Sequence, residues 1–174
     1  MALTGIQIGL RVWEFVFSLL VMALIGNIIA MAFAGNPATI NYSMFTATFS
    51  IVSLFYLVPA SINMNWAIHP IIMITLDVLN NIFFLTCAIA LAAKLECHSC
   101  SNDNYTLNNE ITNGANNRQK RCREAQASVA FLWFAWAGYM ASTIISIISA
   151  RSATVGGRSR TGRAPRGRPS MAQV

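Results

Sequence analysis

Residues 67–93 read AIHPIIMITLDVLNNIFFLTCAIALAA, and this stretch decides the fold. It holds one charge, Asp77. About 20 apolar residues span the hydrocarbon core of a bilayer as a helix. Backbone groups in lipid must bond within the segment or around a closed barrel. The run is too long and continuous for a barrel strand, so it reads as a transmembrane helix. Three more runs lie on either side. Leu10–Ala34 carries only Arg11 and Glu14, both near its start, while Ser43–Asn63 and Ala125–Ala150 carry no charge. The chain is 55% hydrophobic and 10% charged, against about 25% charged in an ordinary soluble domain. That composition rules out a soluble globular enzyme as the default, and it rules out a disordered chain. The expected architecture is an all-α, four-helix transmembrane bundle over residues 1–150, followed by a basic tail over 151–174.

The connections are uneven. Loop one, 35–42, contains the turn signal Asn36-Pro37. Loop two, 64–66, is a tight hairpin. Pro59 should kink the end of the second span, and Pro70 opens the third, where its missing N–H costs little. Loop three, 94–124, is long, polar and cysteine-bearing. The tail carries six arginines among glycines and prolines and is expected to be disordered. Ala32-Phe33-Ala34 has the small-x-small form of a signal-peptide cleavage site. The apolar run before it exceeds the usual 7–15 residues of a signal peptide, so the first run is read as a retained helix.

Four spans put both termini and loop two on one side, and loops one and three on the other. Arg11 and the six tail arginines face five basic residues of loop three: Lys94, Arg118, Lys120, Arg121 and Arg123. The positive-inside rule then places the termini in the cytosol. The glycosylation sequons Asn41-Tyr42-Ser43 and Asn104-Tyr105-Thr106 fall in loops one and three, with Asn104 the candidate for modification because Asn41 lies too near the membrane. Cys97, Cys100 and Cys122 also fall in loop three, where an oxidising compartment permits a disulfide.

Asp77 is the sharpest residue. A carboxyl within a span is costly and normally faces the bundle interior. Asn80 and Asn81, three and four positions on, share its helix face. Depth counting brings Tyr56, Tyr139, Ser142 and Thr143 to its level. The group reads as a hydrogen-bonded polar clamp of Asp77, Asn80 and Asn81 between helices, or as a proton relay. The clamp is preferred because a relay needs a second titratable group, and depth counting finds none. Arg11 and Glu14 read as a snorkelling pair at the interface. Small residues at Gly26, Ala30 and Ala34, and at Gly138, Ser142, Ser146 and Ala150, suggest close helix approach.

Cys97, His98, Cys100 and Cys122 are four potential zinc ligands, but adjacent Cys97 and His98 fit one tetrahedron poorly. A Cys100–Cys122 disulfide is the simpler reading, so no metal is expected. Cys87 reads as a buried apolar residue. Phe131, Trp133, Phe134, Trp136 and Tyr139 read as an interfacial aromatic belt. His69 lacks triad partners, and no nucleotide-binding or hydrolase motif is present. The sequence therefore supports no enzyme, cofactor or nucleic-acid partner. Tail residues Arg151, Arg158, Arg160, Arg163, Arg166 and Arg168 suit anionic headgroups at about 1 kcal/mol each. Phosphorylation of Ser152, Ser159, Thr161 or Ser170 would weaken that attraction. The alternative is a tail that only fixes topology.

Thr75-Leu76-Asp77-Val78-Leu79-Asn80, His98-Ser99-Cys100, and Arg121-Cys122-Arg123-Glu124-Ala125-Gln126-Ala127 leading into Ala130-Phe131-Leu132 resemble the fungal non-classical export protein family. These are four-helix MARVEL-domain proteins of the plasma membrane. The resemblance covers essentially the whole chain and is most specific from Thr75 to Phe134. It implies cytosolic termini and residence in eisosome-type plasma-membrane domains. It also implies a non-enzymatic role in organising those domains in response to sphingolipid state. The implied partners are anionic lipids, sphingolipids, eisosome proteins and other copies of the chain. Export of proteins lacking signal peptides, or proton-linked transport through Asp77, is the alternative. Asp77, Asn80, Cys100 and Cys122 match the family pattern. Cys97 does not, and loop three is longer here.

Overall fold

The computed structural model describes residues 2–33, 35–62, 70–96 and 98–160. Every regular element among them is helical: α1 (Ala2–Ala30), α2 (Ala38–Ile62), α3 (Pro70–Leu95), α4 (Asp103–Asn108) and α5 (Arg118–Arg160). Four helices are long and apolar enough to cross a membrane, over Gly5–Ala30, Ala38–Ile62, Ile71–Leu95 and Arg118–Ser149.

Local chemistry sets the helix starts. The carbonyl of Pro37 accepts the N–H groups of Ile40 and Asn41, opening α2. Pro70 stands first in α3, where no N–H is needed. Asn102 caps α4 by accepting from the N–H groups of Asn104 and Tyr105. The Asn117 side chain accepts from the Lys120 N–H at 3.0 Å and caps α5. Pro59 remains inside α2, within its last turn.

Two boundaries differ from the sequence expectation in ways that matter. The first helix starts at Ala2 rather than about Leu10. Residues 2–9 contain no proline and continue the apolar pattern, so the helix extends backwards and carries Arg11 inward. The last helix starts at Arg118 rather than about Ala125 and runs to Arg160. Residues 151–160 are thus helical rather than disordered, and the first proline of the tail comes only at Pro165. Arg163, Arg166 and Arg168 lie outside the described residues, as do loop two, His69, Cys97 and Ala34.

The packing order is a square. Both α1 and α3 pack against α2 and α5, whereas α1 and α3 face each other across the centre, as do α2 and α5. Towards loops one and three the core is apolar, built from Val21, Ile25, Ile28, Phe84, Leu91, Leu132 and their neighbours. Large apolar side chains such as Phe55, Val52 and Ile71 point outward, as a lipid-facing surface requires.

Candidate functional site

The other half of the bundle, beside the chain termini, has a charged interior. Asp77 is fully buried on α3 and Arg11 is 1% exposed on α1. Arg11 Nη1 donates to Asp77 Oδ1 at 2.6 Å and Nη2 to Oδ2 at 2.8 Å. This bidentate fork is the strongest common form of ion pair. It crosses the centre of the bundle, joining two helices whose backbones do not meet. The reach and planar fork of an arginine suit that span. Arg11 Nη1 also donates to Glu14 Oε2 at 2.9 Å, and its Nε reaches Ser61 of α2 at 3.5 Å. From α5, Ser142 donates to Glu14 Oε1 at 2.5 Å and Ser146 to Asp77 Oδ2 at 3.3 Å. One cluster thus ties all four spanning helices.

This corrects the interfacial reading of Arg11 and Glu14. Glu14 is fully buried, and neither side chain snorkels. With α1 starting at Ala2, Arg11 lies nine residues in, about 14 Å along the axis. Asp77, seven residues into α3, lies about 10 Å along. The titratable partner that depth counting failed to find for Asp77 is therefore present.

Asn80 and Asn81 share the face of Asp77 but bond elsewhere. Asn80 donates to Ser53 of α2 at 2.8 Å, and Asn81 to Thr143 of α5 at 3.3 Å. A second tie crosses the other diagonal, where Tyr139 and Ser50 meet at 2.6 Å, and Ser50 also meets Ser18 at 2.6 Å. The Tyr56 hydroxyl joins none of these groups.

Of the aromatic residues of α5, Trp133 and Phe134 are exposed on the outside of the bundle and Phe131 and Trp136 are half-buried, whereas Tyr139 lies inside and belongs to no belt. Tyr139 is fully buried and stacks on Phe84 at 5.4 Å between centroids. Phe134 and Phe131 lie against Phe17 of α1, and Trp13 donates to the Phe134 carbonyl at 3.0 Å. Phe131 and Phe134 fall mid-helix, where they pack α5 onto α1, while Tyr139 packs it onto α3. Gly138 permits that approach: a Cβ there would lie 2.8 Å from the Trp13 ring. Gly26 makes no such contact, since a Cβ would meet nothing within 4 Å, and Ala30 is exposed. That half of the small-residue reading is corrected.

Beyond the spans, loops one and three form a shared cap. Arg121, 1% exposed, donates to the carbonyls of Ile111 and Gly114 at 2.7 and 3.3 Å, and to Asn36 of loop one at 3.2 Å. Sequence reading counted Arg121 only as a loop charge. Cys100 and Cys122 are joined in a disulfide that fastens the loop to α5. Cys87 is free and buried, and its thiol donates to Ser43. Asn104 is exposed on α4, beside a polar cleft of about 500 Å³ that Lys94, His98, Tyr105 and Glu110 help to line. Arg151 is exposed, while Arg158 and Arg160 lie in the last turns of α5.

Residues 2–145 match the MARVEL membrane-associating domain. The chain is 34% identical over 174 residues to non-classical export protein 2 of Saccharomyces cerevisiae, covering 95% of each chain. It is 37% identical over 166 residues to non-classical export protein 102 of Candida albicans, again covering 95% of each. It is 30% identical over 159 residues to a non-classical export protein 2 homolog of Schizosaccharomyces pombe, covering 85% of each. No solved structure matches the chain. With a MARVEL domain across its four spans and relatives matching nearly its whole length, the chain belongs to the non-classical export protein family of MARVEL-domain membrane proteins.

Proposed function

We propose that the protein is a non-enzymatic organiser of plasma-membrane domains of the eisosome type, responsive to sphingolipid state, with both termini in the cytosol. The observation that carries this reading is where the polar groups are used. Arg11, Glu14, Asp77, Asn80, Asn81, Ser50 and Tyr139 bond across helices, while the outside is apolar. Such a body acts laterally, through lipid and neighbouring copies, rather than by passing a solute. The Cys100–Cys122 disulfide supports an oxidising compartment for loop three and hence cytosolic termini. The arginines from Arg151 to Arg168 would then lie beside the anionic inner leaflet. Eisosome proteins, sphingolipids and other copies of the chain are the partners this role calls for. The test is the localisation of a tagged chain in living fungal cells beside an eisosome marker, before and after sphingolipid synthesis is blocked. Patches that overlap the marker and disperse on the block are expected. A uniform signal unmoved by the block would contradict the reading. Replacing the six tail arginines with glutamine should disperse the patches if the tail holds lipid.

The names of these relatives favour a second reading, a factor in non-classical export. It requires Asp77→Asn to abolish export while the protein still folds and reaches the membrane. Loss of stability with export intact would leave Asp77 a structural residue.

A further inference from the structure

A second polar cleft, of about 450 Å³, opens where loop one meets loop three. Gly35, Asn36 and Pro37 line it from loop one, and Asn113, Gly114 and Arg121 line it from the other side. Arg121 brings a charge there that nothing offsets. Unlike Arg11, it forms no ion pair among the described residues. The acids of this region are held by other groups. Glu124 accepts from Asn27 of α1 at 2.6 Å and lies 3.7 Å from Lys120. Glu110, on the edge of the cleft, is paired with Lys94 at 2.7 Å. Arg118 and Lys120 add positive charge to the same first turn of α5, which has no acidic residue. Neutral oxygens fix the position of Arg121 but leave its charge unbalanced. An oxyanion in the cleft would meet that charge with no resident carboxylate competing for it.

The guanidinium is also only partly committed. Nε donates to the Ile111 carbonyl at 2.7 Å, which anchors it. The terminal nitrogens are held more loosely, Nη1 at 3.3 Å from the Gly114 carbonyl and Nη2 at 3.2 Å from Asn36 Oδ1. Charge-assisted bonds from nitrogen to an anionic oxygen run to about 2.7–2.9 Å. Each terminal nitrogen bears two hydrogens, so each keeps one beyond these contacts among the described residues. A planar guanidinium with two N–H groups to spare suits an oxyanion. The place of the cleft narrows the choice of anion. It lies where α1 has ended at Ala30, α2 begins at Ala38 and α5 begins at Arg118, so it opens where the spans leave the hydrocarbon. Phosphate is the anion that a bilayer carries at that level, and basic pockets between spanning helices hold headgroups in this way.

We propose that the cleft between loops one and three is a phosphate-binding site, with the Arg121 guanidinium as its cation. The phosphate belongs to a lipid headgroup beside the cap or comes from solution, and the recognition chemistry is the same for both. Arg121 and Asn36 reach the cleft from different ends of the chain, so a bound phosphate strengthens the tie between the two loops. The inference does not depend on the organiser role, and its readout is independent of localisation.

The test is calorimetric titration of the full chain in maltoside micelles, which carry no phosphate, after a phosphorus assay of the purified protein. Inorganic phosphate is one titrant and dihexanoyl phosphatidic acid, a short-chain lipid, is the other. Saturable binding of either titrant, or lipid phosphorus retained through purification, is expected. Binding of inorganic phosphate assigns a soluble source, and binding or retention of lipid alone assigns a headgroup. Asn36→Asp puts a carboxylate oxygen where Oδ1 now meets Nη2, which supplies the missing counter-charge and removes no contact. It should weaken phosphate binding by about tenfold or more and raise the Tm in phosphate-free micelles. Arg123→Gln removes an exposed charge two positions along α5 and should bind as the wild type does. Neither retained phosphorus nor saturable binding would overturn the proposal. So would wild-type binding by Asn36→Asp, or an equal loss in Arg123→Gln, which would mean diffuse charge attraction in place of a site.

Discussion

Arg11 and Arg121 are equally buried, each 1% exposed, yet they are satisfied in opposite ways. Arg11 lies within the spans and is met by two carboxylates. Arg121 lies in the first turn of α5, at the end of the last span that the loops cap, and is met by two carbonyls and an amide oxygen. Their surroundings explain the difference. Hydrocarbon offers a guanidinium no other compensation, so a counter-charge must be built in. Beside water, neutral oxygens are enough, because the field of the charge is screened nearby. The same residue type is thus a charged tie across the bundle at one end and a knot between loops at the other.

The comparison breaks first at Arg11. Arg11→Met leaves two buried carboxyls without their cation and should cost about 3–5 kcal/mol, read as a shift in detergent-induced unfolding after reconstitution. A wild-type transition would show that the tie contributes nothing. The double change Cys100→Ser with Cys122→Ser should cost about 3 kcal/mol for a closed loop of this size. The loss should appear as early proteolysis of residues 98–122 while the spans stay protected. Arg121→Met should cost about 2 kcal/mol, because two of the three orphaned acceptors, on Gly114 and Asn36, are only partly buried. A loss as large as that at Arg11 would erase the distinction between the two arginines. The smallest effect is expected at Gly138. Gly138→Ala pushes a methyl against Trp13 and should cost about 1 kcal/mol, whereas Gly26→Ala should be neutral or slightly stabilising. Equal effects at the two glycines would remove the argument that only Gly138 seats a helix.

The four spans were legible because continuous apolar runs leave few alternatives in lipid. Asp77 was legible as a lone charge within such a run. Its partner was not, because depth counting took Leu10 as the helix start, and the eight extra residues of α1 carry Arg11 and Glu14 into the interior. A carboxylate this deep was itself a signal to look for a cation on another span. The direction of α5's aromatic residues was also hidden. Hydropathy records that Tyr139 and Phe134 are apolar, and it does not record which faces α1 or α3. Arg121 gave no usable signal, since a basic residue in a polar loop is ordinarily solvated and its partners are backbone carbonyls.

The most direct test of the central claim, that Arg11 and Asp77 hold α1 to α3 through the centre of the bundle, is a double-mutant cycle with Arg11→Met and Asp77→Asn, measured by reversible unfolding in mixed micelles. A coupling of about 2–3 kcal/mol, with the double variant far less damaged than the sum of the single ones, is the predicted result. Strictly additive losses would mean that the two residues do not act on each other, and would contradict the account.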